Sequence, residues 1–347
     1  MESVGWHLAQ ELSVRGADVT VVFHRQDGPA PPRVALCRIP VARFWQPLRV
    51  RTFSERVARV VGAGFDVVHS LARTRQQDVY RAGGGSHAAY MEHVYRSPRL
   101  QALSPRHRTI LGIEEHVFRR SAQIIQCNAR ASAVEIARRY DVPETRLVTI
   151  YNGVDTGRFH PGLRAALRDE VRRELNLEGP TALFVGSGFH RKGLDRAILG
   201  LAAGAPAGTT LLVAGRDNGR PWQRLARRHG VEPRVVLLGH RADVERLHAA
   251  ADLFVLPTRY DPFSNACLEA MASGLPVATT PTNGAAELVE HRSSGLILED
   301  RFEAAFALLA EPDRLAEMGT RARARAEACT WSNHAEQVLE LYERVRR

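Results

Sequence analysis

Residues 251–276 read ADLFVLPTRYDPFSNACLEAMASGLP, and this stretch decides the fold of the second half of the chain. Residues 251–258 are an apolar run with the composition of a buried parallel strand. Pro257, Asp261, Pro262, Ser264 and Asn265 then form a loop. Residues 265–273 predict a short helix, with Ser264 or Asn265 as N-cap and Gly274 as its stop. A strand leading through a loop into a helix start is an anion site. The first helical N–H groups have no partner within the helix, and the positive end of the dipole stands behind them. Glu269 lies about one turn into this helix, beyond capping reach, where its carboxylate can meet a diol. Asp261 precedes the loop. On spacing alone the two acids read equally well as a turn residue and a solvated helix residue, so the site needs a second half.

That half is TALFVGSGFHRKG, residues 181–193. An apolar strand runs into Gly186, Ser187 and Gly188, then Arg191 and Lys192, then Gly193 and another helix. Glycines let backbone approach a phosphate, and the two cations supply charge. The dinucleotide pattern GxGxxG is half present, since its third glycine is replaced by Arg191 and no acid follows on the strand at 210–216. No GxxxxGK[ST] loop occurs. Both loops follow strands at their carboxyl ends, where open α/β sheets take ligands. Arg191 and Lys192 on one side and the helix start at Asn265 on the other suit two phosphates. Glu269 then meets a ribose and Asp261 a further group, so the second half reads as a nucleotide-diphosphate domain.

The 347 residues predict two domains, and a 44% hydrophobic share supplies both cores. No apolar run approaches the roughly 18–20 residues of a membrane span. The opening MESVGWHLAQEL is amphipathic and acidic, unlike a signal peptide. Cys37, Cys127, Cys267 and Cys329 form no CxxC and read as buried thiols of a cytoplasmic protein. The net charge of +10 is concentrated in residues 1–160, which hold 23 basic and 14 acidic residues, against 25 and 24 in 161–347. This points to an anionic partner (phosphorylated glycolipid, membrane surface or nucleic acid) or to a generally arginine-rich composition. Of the 48 Lys and Arg residues only Lys192 is a lysine. A compact ammonium and a planar fork are not interchangeable at a phosphate, so this lysine reads as chemically required.

Strands and helices alternate in both halves, predicting doubly wound parallel sheets. In the first half, helices are expected at 2–15, 50–61, 131–140 and, with interruptions, 88–125. Strands are expected at 17–25, 33–39, 65–70, 78–81, 123–127 and 147–150, with loops at 26–32 and 40–47. An α/β domain normally opens on a strand, so an opening strand and its loop are expected to be missing, leaving a gap beside the strand at 19–23. The turn-rich 152–161 is the domain junction. In the second half strands are expected at 181–186, 210–214, 235–238, 253–256, 277–279 and 296–298. Helices are expected at 163–175, 193–203, 221–229, 243–250, 265–273, 285–290, 301–309, 312–328 and 332–347. Glu114, Glu115 and His116 read as a solvated helix face, since no second histidine stands at metal spacing. His190 reads as a local loop contact.

The series GSGFHRKG (186–193), LLGHRADV (237–244), YDPFSNACLEAMASGLPV (260–277) and NGAAELVEHRSSG (283–295) resembles the retaining GT-B glycosyltransferases of family 4. Within them it is most similar to the lipopolysaccharide-core glucosyltransferases that use UDP-glucose. The resemblance spans nearly the whole chain and is strongest over 145–300. It implies two Rossmann-like domains facing a cleft: 1–155 for the acceptor, 156–328 for the nucleotide sugar, and 329–347 crossing back, with Trp331 opening the last helix. It implies that Arg191 and Lys192, with the Gly186–Ser187 turn, grip the diphosphate and that Glu269 binds the ribose. The N–H groups of Phe263, Ser264, Asn265 and Ala266 face diphosphate or sugar, and the loop at Arg241 contacts uracil. His87, after three glycines, faces the transferred sugar or is a loop histidine without duty. Asp261 stands where the family usually has Glu, and with Lys192, Arg191 and His87 makes the catalytic set. The implied partners are a nucleotide-sugar donor and an anionic glycolipid or glycan acceptor, at the inner membrane face and without nucleic acid. No cofactor is expected, and no D-x-D occurs to bring a metal to the diphosphate. Paired acids also invite a glycosidase reading, but both lie beside the diphosphate loops. A UDP-sugar epimerase of the same architecture and a non-catalytic anion- or lipid-binding protein are the other readings.

Overall fold

The computed structural model describes residues 2–25, 31–41, 45–61, 64–119 and 124–346. The chain divides into two compact units, Met1–Gly153 with Trp331–Arg347, and Val154–Thr330. Each is a parallel sheet protein with helices, as the alternation of elements predicts.

The first unit holds two sheets. β1 (Val19–Phe23) and β2 (Val34–Arg38) pair in parallel. β3 (His69–Ser70), β4 (Val79–Arg81), β5 (Ile124–Cys127) and β6 (Leu147–Thr149) form a separate four-stranded parallel sheet in that order. Val4, Leu8 and Leu12 of the Glu2–Val14 helix recur at helical spacing and are buried. Leu8 and Leu12 share one core with Val79, Ile150 and three residues of the Trp331–Glu343 helix, Ala335, Val338 and Leu341. The last helix is thus part of the first unit's core.

Several boundaries differ from expectation. The 50–61 helix begins at Gln46, because a proline in a first turn gives up no intrahelical bond. The strand expected at 65–70 shrinks to His69–Ser70, since the Val68 N–H donates at 2.8 Å to the Asp78 carboxylate and leaves the ladder. The region read as one interrupted helix is three, His87–Val94, Pro98–Ala102 and Pro105–Arg119. Residues 26–30, 42–44, 120–123 and 347 of the expected loops, helices and strand lie outside the described residues.

In the second unit β7 (Thr181–Val185), β8 (Thr210–Ala214), β9 (Val235–Gly239), β10 (Leu253–Leu256), β11 (Val277–Thr279) and β12 (Gly295–Ile297) are all parallel, in the order β12-β11-β10-β7-β8-β9. Successive strands step outward from β7 to β9, then return to β7's other side at β10. Such a reversal leaves a crevice beyond the carboxyl ends of the two central strands. Leu183, Phe184, Phe254 and Leu211 fill the sheet's faces together with Leu194, Ile198 and Phe306 from the helices. The segment expected as a helix at 285–290 is a 3₁₀ turn, Gly284–Leu288, and 301–309 is the short helix Glu303–Ala307 followed by another. Gly153 ends the first unit where a Cβ would fall 2.6 Å from the Trp331 backbone. Among the described residues no helix is long and apolar enough to cross a membrane.

Candidate functional site

The loops after β7 and β10 meet because β7 and β10 are neighbours. Gly186 (φ +154°) and Gly188 (φ +81°) turn the chain out of β7 into the short Phe189–Lys192 helix. Gly193 (φ +77°) follows, and a Cβ there would fall 2.0 Å from the Pro257 carbonyl oxygen, so only glycine allows this approach. The Arg191 carbonyl accepts from the Arg259 N–H and from Thr258 Oγ1, both at 2.8 Å. The Arg259 guanidinium pairs with Asp195 at 2.6 and 2.8 Å. These contacts fix one loop on the other.

They also deliver Lys192 to Asp261. Both are buried, at 8% and 6% exposure. Lys192 Nζ donates to Asp261 Oδ2 and lies 3.5 Å from Ser264 Oγ. Arg191 Nη1 stands 3.5 Å from the same carboxylate oxygen and donates to the Tyr260 carbonyl at 3.0 Å. Burial pushes the Asp261 carboxyl up, but the Lys192 and Arg191 charges and the Phe263 N–H outweigh it, and the group is held below the ordinary aspartate value. Two cations and one anion leave the cluster with a positive excess.

Ser264 is the N-cap of the Asn265–Ala272 helix by backbone (φ −86°, ψ 109°), yet among the described residues its side chain caps nothing. Asn283 does the bonding: its Oδ1 accepts from the Ser264 and Ala285 N–H groups at 3.1 Å, and its Nδ2 donates to Thr279 Oγ1 at 2.9 Å. Asn283 was not singled out from the sequence, although Asn before Gly284 at a helical start is a cap signal. Ser264 Oγ is therefore left toward Lys192. Among the described residues no group of three His, Cys, Asp or Glu side chains is placed to hold a metal ion.

Glu269, half-buried in the same helix, has no hydrogen-bond partner for its carboxylate among the described residues. Burial pushes it up to about 7, opposed in part by Arg158 and Lys192. An unfolded chain releases this proton near 4.5. Between these values the folded chain holds more protons, so stability falls as pH rises there. The contribution is complete below 4.5 and gone above about 7. Glu269→Gln is expected to flatten that fall in thermal melts of ligand-free protein between pH 5 and 8. A profile as steep as the parent's would assign the slope elsewhere.

The other expected residues fall differently. Ser187 Oγ accepts from the Arg216 N–H at 3.1 Å, and the Gly188 N–H donates to Asp217 Oδ2 at 2.6 Å, a clamp by Asp217 that the sequence did not reveal. The Arg241 guanidinium is held by Asp243 through two bonds of 2.8 and 2.6 Å. His87 belongs to the first unit, where it is buried, stacked on Tyr90 and 2.8 Å from His107 Nδ1 through Nε2. Burial pushes it down to about 4, helped by Arg73 and His107, so its ring is neutral at pH 7. His190 is exposed, and its carbonyl accepts from Arg259.

Glu114 corrects an expectation. Glu115 and His116 are exposed, but Glu114 is fully buried. Its carboxylate accepts from the His87 N–H at 2.7 and 2.8 Å, Ser86 Oγ at 3.2 Å and Tyr140 Oη at 2.5 Å, with Arg73 at 3.4 Å. It serves as the anion at the start of the His87–Val94 helix, which has no acid in its own first turn.

Known proteins resemble this chain in sequence and in fold. Residues 179–311 match the family described as glycosyl transferases group 1, and residues 1–158 match glycosyltransferase family 4. The lipopolysaccharide glucosyltransferase WaaG of Escherichia coli K12 is 28% identical over 316 residues, 85% of this chain and 80% of that protein. A D-inositol 3-phosphate glycosyltransferase of Nocardia farcinica is 33% identical over 62% of this chain, which spans about half (51%) of that relative's length. The crystal structure of WaaG superposes with a TM-score of 0.85 at 23% identity, covering 98% of this chain and 95% of that one. That of Anabaena Alr3699/HepE in complex with UDP-glucose gives 0.76 at 19% identity, covering 99% and 95%. At these identities the two structures speak to the fold.

Proposed function

The chain belongs to the family-4 glycosyltransferases of the GT-B fold, and on that premise we propose that it moves a hexose, glucose, from a UDP-sugar to a lipopolysaccharide-core or other glycolipid or glycan acceptor, with retention at the anomeric carbon. The observation that carries the reading is the cluster of Lys192, Arg191 and Ser264 at the reversal between β7 and β10. It places two cations beside a helix start, an arrangement suited to a diphosphate.

The proposed roles join this geometry to those that the family resemblance implies. Lys192 and Arg191 neutralise the diphosphate, whose charge grows as the bond from the anomeric carbon to its oxygen breaks. The N–H groups around Phe263, Ser264, Asn265 and Ala266 face the same group. The acceptor oxygen forms its bond to the anomeric carbon on the face the diphosphate leaves, and its proton passes to a phosphate oxygen. No protein nucleophile is needed. Asp261 holds the Lys192 ammonium in place and faces the sugar of a bound donor. Glu269 takes the ribose diol. The Arg241 guanidinium being committed to Asp243, it is the backbone of that loop that meets uracil. His87, neutral and with its Nε2 engaged by His107, does not serve as an acid.

UDP is favoured as the carrier because WaaG and HepE, similar along almost the whole chain, are named with glucosyl transfer and UDP-glucose. The net charge of residues 1–160 favours an anionic acceptor at a membrane surface, and vesicle binding that weakens with salt checks this. The test of the reading is UDP release from UDP-, GDP- and ADP-hexoses with a glycolipid acceptor present. Turnover of UDP-glucose with free UDP is expected. Isomerised UDP-hexose without UDP release, or binding without turnover, would overturn it. In the same assay at pH 8, where the Glu269 carboxylate is mostly charged, Glu269→Gln should weaken inhibition by UDP about tenfold or more, because bonds to a charged acceptor are stronger than neutral ones.

A further inference from the structure

The segment after β11, residues 279–284, reads TTPTNG and has the composition of a solvated turn. Half of it is buried instead: Thr279, Thr280 and Asn283 are at most 3% exposed. Its hydroxyls tie it to the end of β10 and the loop that follows. Thr279 Oγ1 donates to the Leu256 carbonyl at 2.8 Å, and Thr280 Oγ1 and Thr282 Oγ1 both donate to the Thr258 carbonyl, at 2.6 and 2.8 Å. The Asp261 N–H donates to the Thr282 carbonyl at 3.0 Å, and the Asp261 carbonyl accepts from the Gly284 N–H at 2.9 Å. The backbone that carries the Asp261 carboxylate is thus held at both its N–H and its carbonyl by this segment.

Asn283 joins this segment to the donor helix. Its Oδ1 accepts from the Ser264 and Ala285 N–H groups, and its Nδ2 donates to Thr279 Oγ1 and, at 3.2 Å, to Cys267 Sγ. Four bonds are the full capacity of an asparagine side chain, so Asn283 has none left for a ligand and acts only through its partners. Ser264 is the partner that lies at the cations. A serine at an N-cap ordinarily turns its hydroxyl back onto the N–H groups of its own helix. Here the N–H of the cap residue is bonded from outside the helix, as the second half of a capping box would bond it, and among the described residues the hydroxyl caps nothing. Ser264 Oγ lies instead 3.5 Å from Lys192 Nζ. A hydroxyl that accepts from an ammonium keeps its own proton to donate. Ser264 therefore adds a neutral donor beside the ammonium, and the Asn283 bond to its backbone fixes where that donor stands.

We propose that Asn283 is a positioning residue of the donor site: by holding the Ser264 backbone it keeps Ser264 Oγ beside Lys192, where the hydroxyl donates to an oxygen of a bound nucleoside diphosphate. The ligand rests on the transferase reading; the link from Asn283 to Ser264 does not.

The experiment uses the whole chain and compares Asn283→Ala, Ser264→Ala and the double variant. UDP affinity is measured by titration calorimetry, kcat by UDP release from UDP-glucose, and folding by thermal melts, with both functional assays run well below the lowest melting midpoint. Each single variant is expected to weaken UDP roughly tenfold, the effect of losing one bond to a charged acceptor, and to lower kcat as well. The double variant is expected to match the weaker single, because both changes remove the same bond. Asn283→Ala also strands two N–H groups and should melt earlier than Ser264→Ala, which leaves every Asn283 bond in place. An Asn283 that serves folding alone would lower the melting midpoint and keep parental UDP affinity and kcat, and that result overturns the proposal. Losses that multiply in the double variant place the two residues in separate roles and overturn it as well. Parental UDP affinity in Ser264→Ala does the same, even where Asn283→Ala does not fold. A parent that binds UDP but does not turn over UDP-glucose counts against the transferase reading, and the binding comparison still decides the role of Asn283. A parent that binds no UDP overturns both.

Discussion

Lys192→Ala is expected to lower kcat and kcat/KM together, by roughly 10²–10³, in a UDP-release assay. A cation that steadies a departing diphosphate gains most of its value as the charge develops, so its loss appears in the chemical step more than in donor binding. The structure adds a consequence that a surface lysine would not have. Lys192 is buried against Asp261, and removing it leaves that carboxylate in the interior with Arg191 at 3.5 Å as its nearest remaining charge. Stability is therefore expected to fall by about 3 kcal/mol, the low end for breaking a buried pair, because Arg191 stays. Adding Asp261→Asn removes the stranded charge and should recover most of the stability without restoring the rate. Lys192→Arg should not rescue fully. Gly186 lies against the Lys192 stem, with a hypothetical Cβ only 3.3 Å from Cε, and a planar fork does not fit the path of a straight ammonium chain. Urea melts and turnover on the three variants separate the effects. Normal turnover in Lys192→Ala would remove the loop from the mechanism.

Glu114→Ala is expected to cost the first unit about 3–5 kcal/mol, the range for removing one partner from a buried charged network. The change strands the His87 N–H, the Tyr140 hydroxyl and the Arg73 guanidinium at once, and takes the anion from the start of the His87–Val94 helix. Glu114→Gln keeps the shape and part of the bonding and should cost less. Circular dichroism and urea midpoints give the comparison. A midpoint shift for Glu114→Ala no larger than that for Glu115→Ala, whose residue is exposed, would return Glu114 to the solvated face where its sequence neighbours lie.

Much of the second unit was legible in the sequence. Its six strands were expected within one or two residues of where they lie, because each is a run of apolar residues bounded by glycine, proline or a polar turn, and a strand buried on both faces must read that way. The two loops were legible for a related reason. Left-handed backbone at Gly186, Gly188 and Gly193 admits few other residues, so the need for it is written in the chain. The one lysine among 48 basic residues drew attention to a position whose ammonium is buried against Asp261. The division of the chain near 152–161 showed as a turn-rich break between two alternating series.

The meeting of those loops was not legible. Lys192 and Asp261 are 69 residues apart, and they touch because β10 returns to lie beside β7. Strand order depends on how crossovers pack on both faces of the sheet, which no local period records. The separation of β1 and β2 from β3–β6 likewise exists only once the strands are placed. Glu114 shows the limit most plainly. Its neighbours Glu115 and His116 are exposed, and nothing in GIEEHV says which glutamate turns inward. That is decided by Ser86, His87, Tyr140 and Arg73, brought from distant parts of the chain to a carboxylate that burial obliges to find partners.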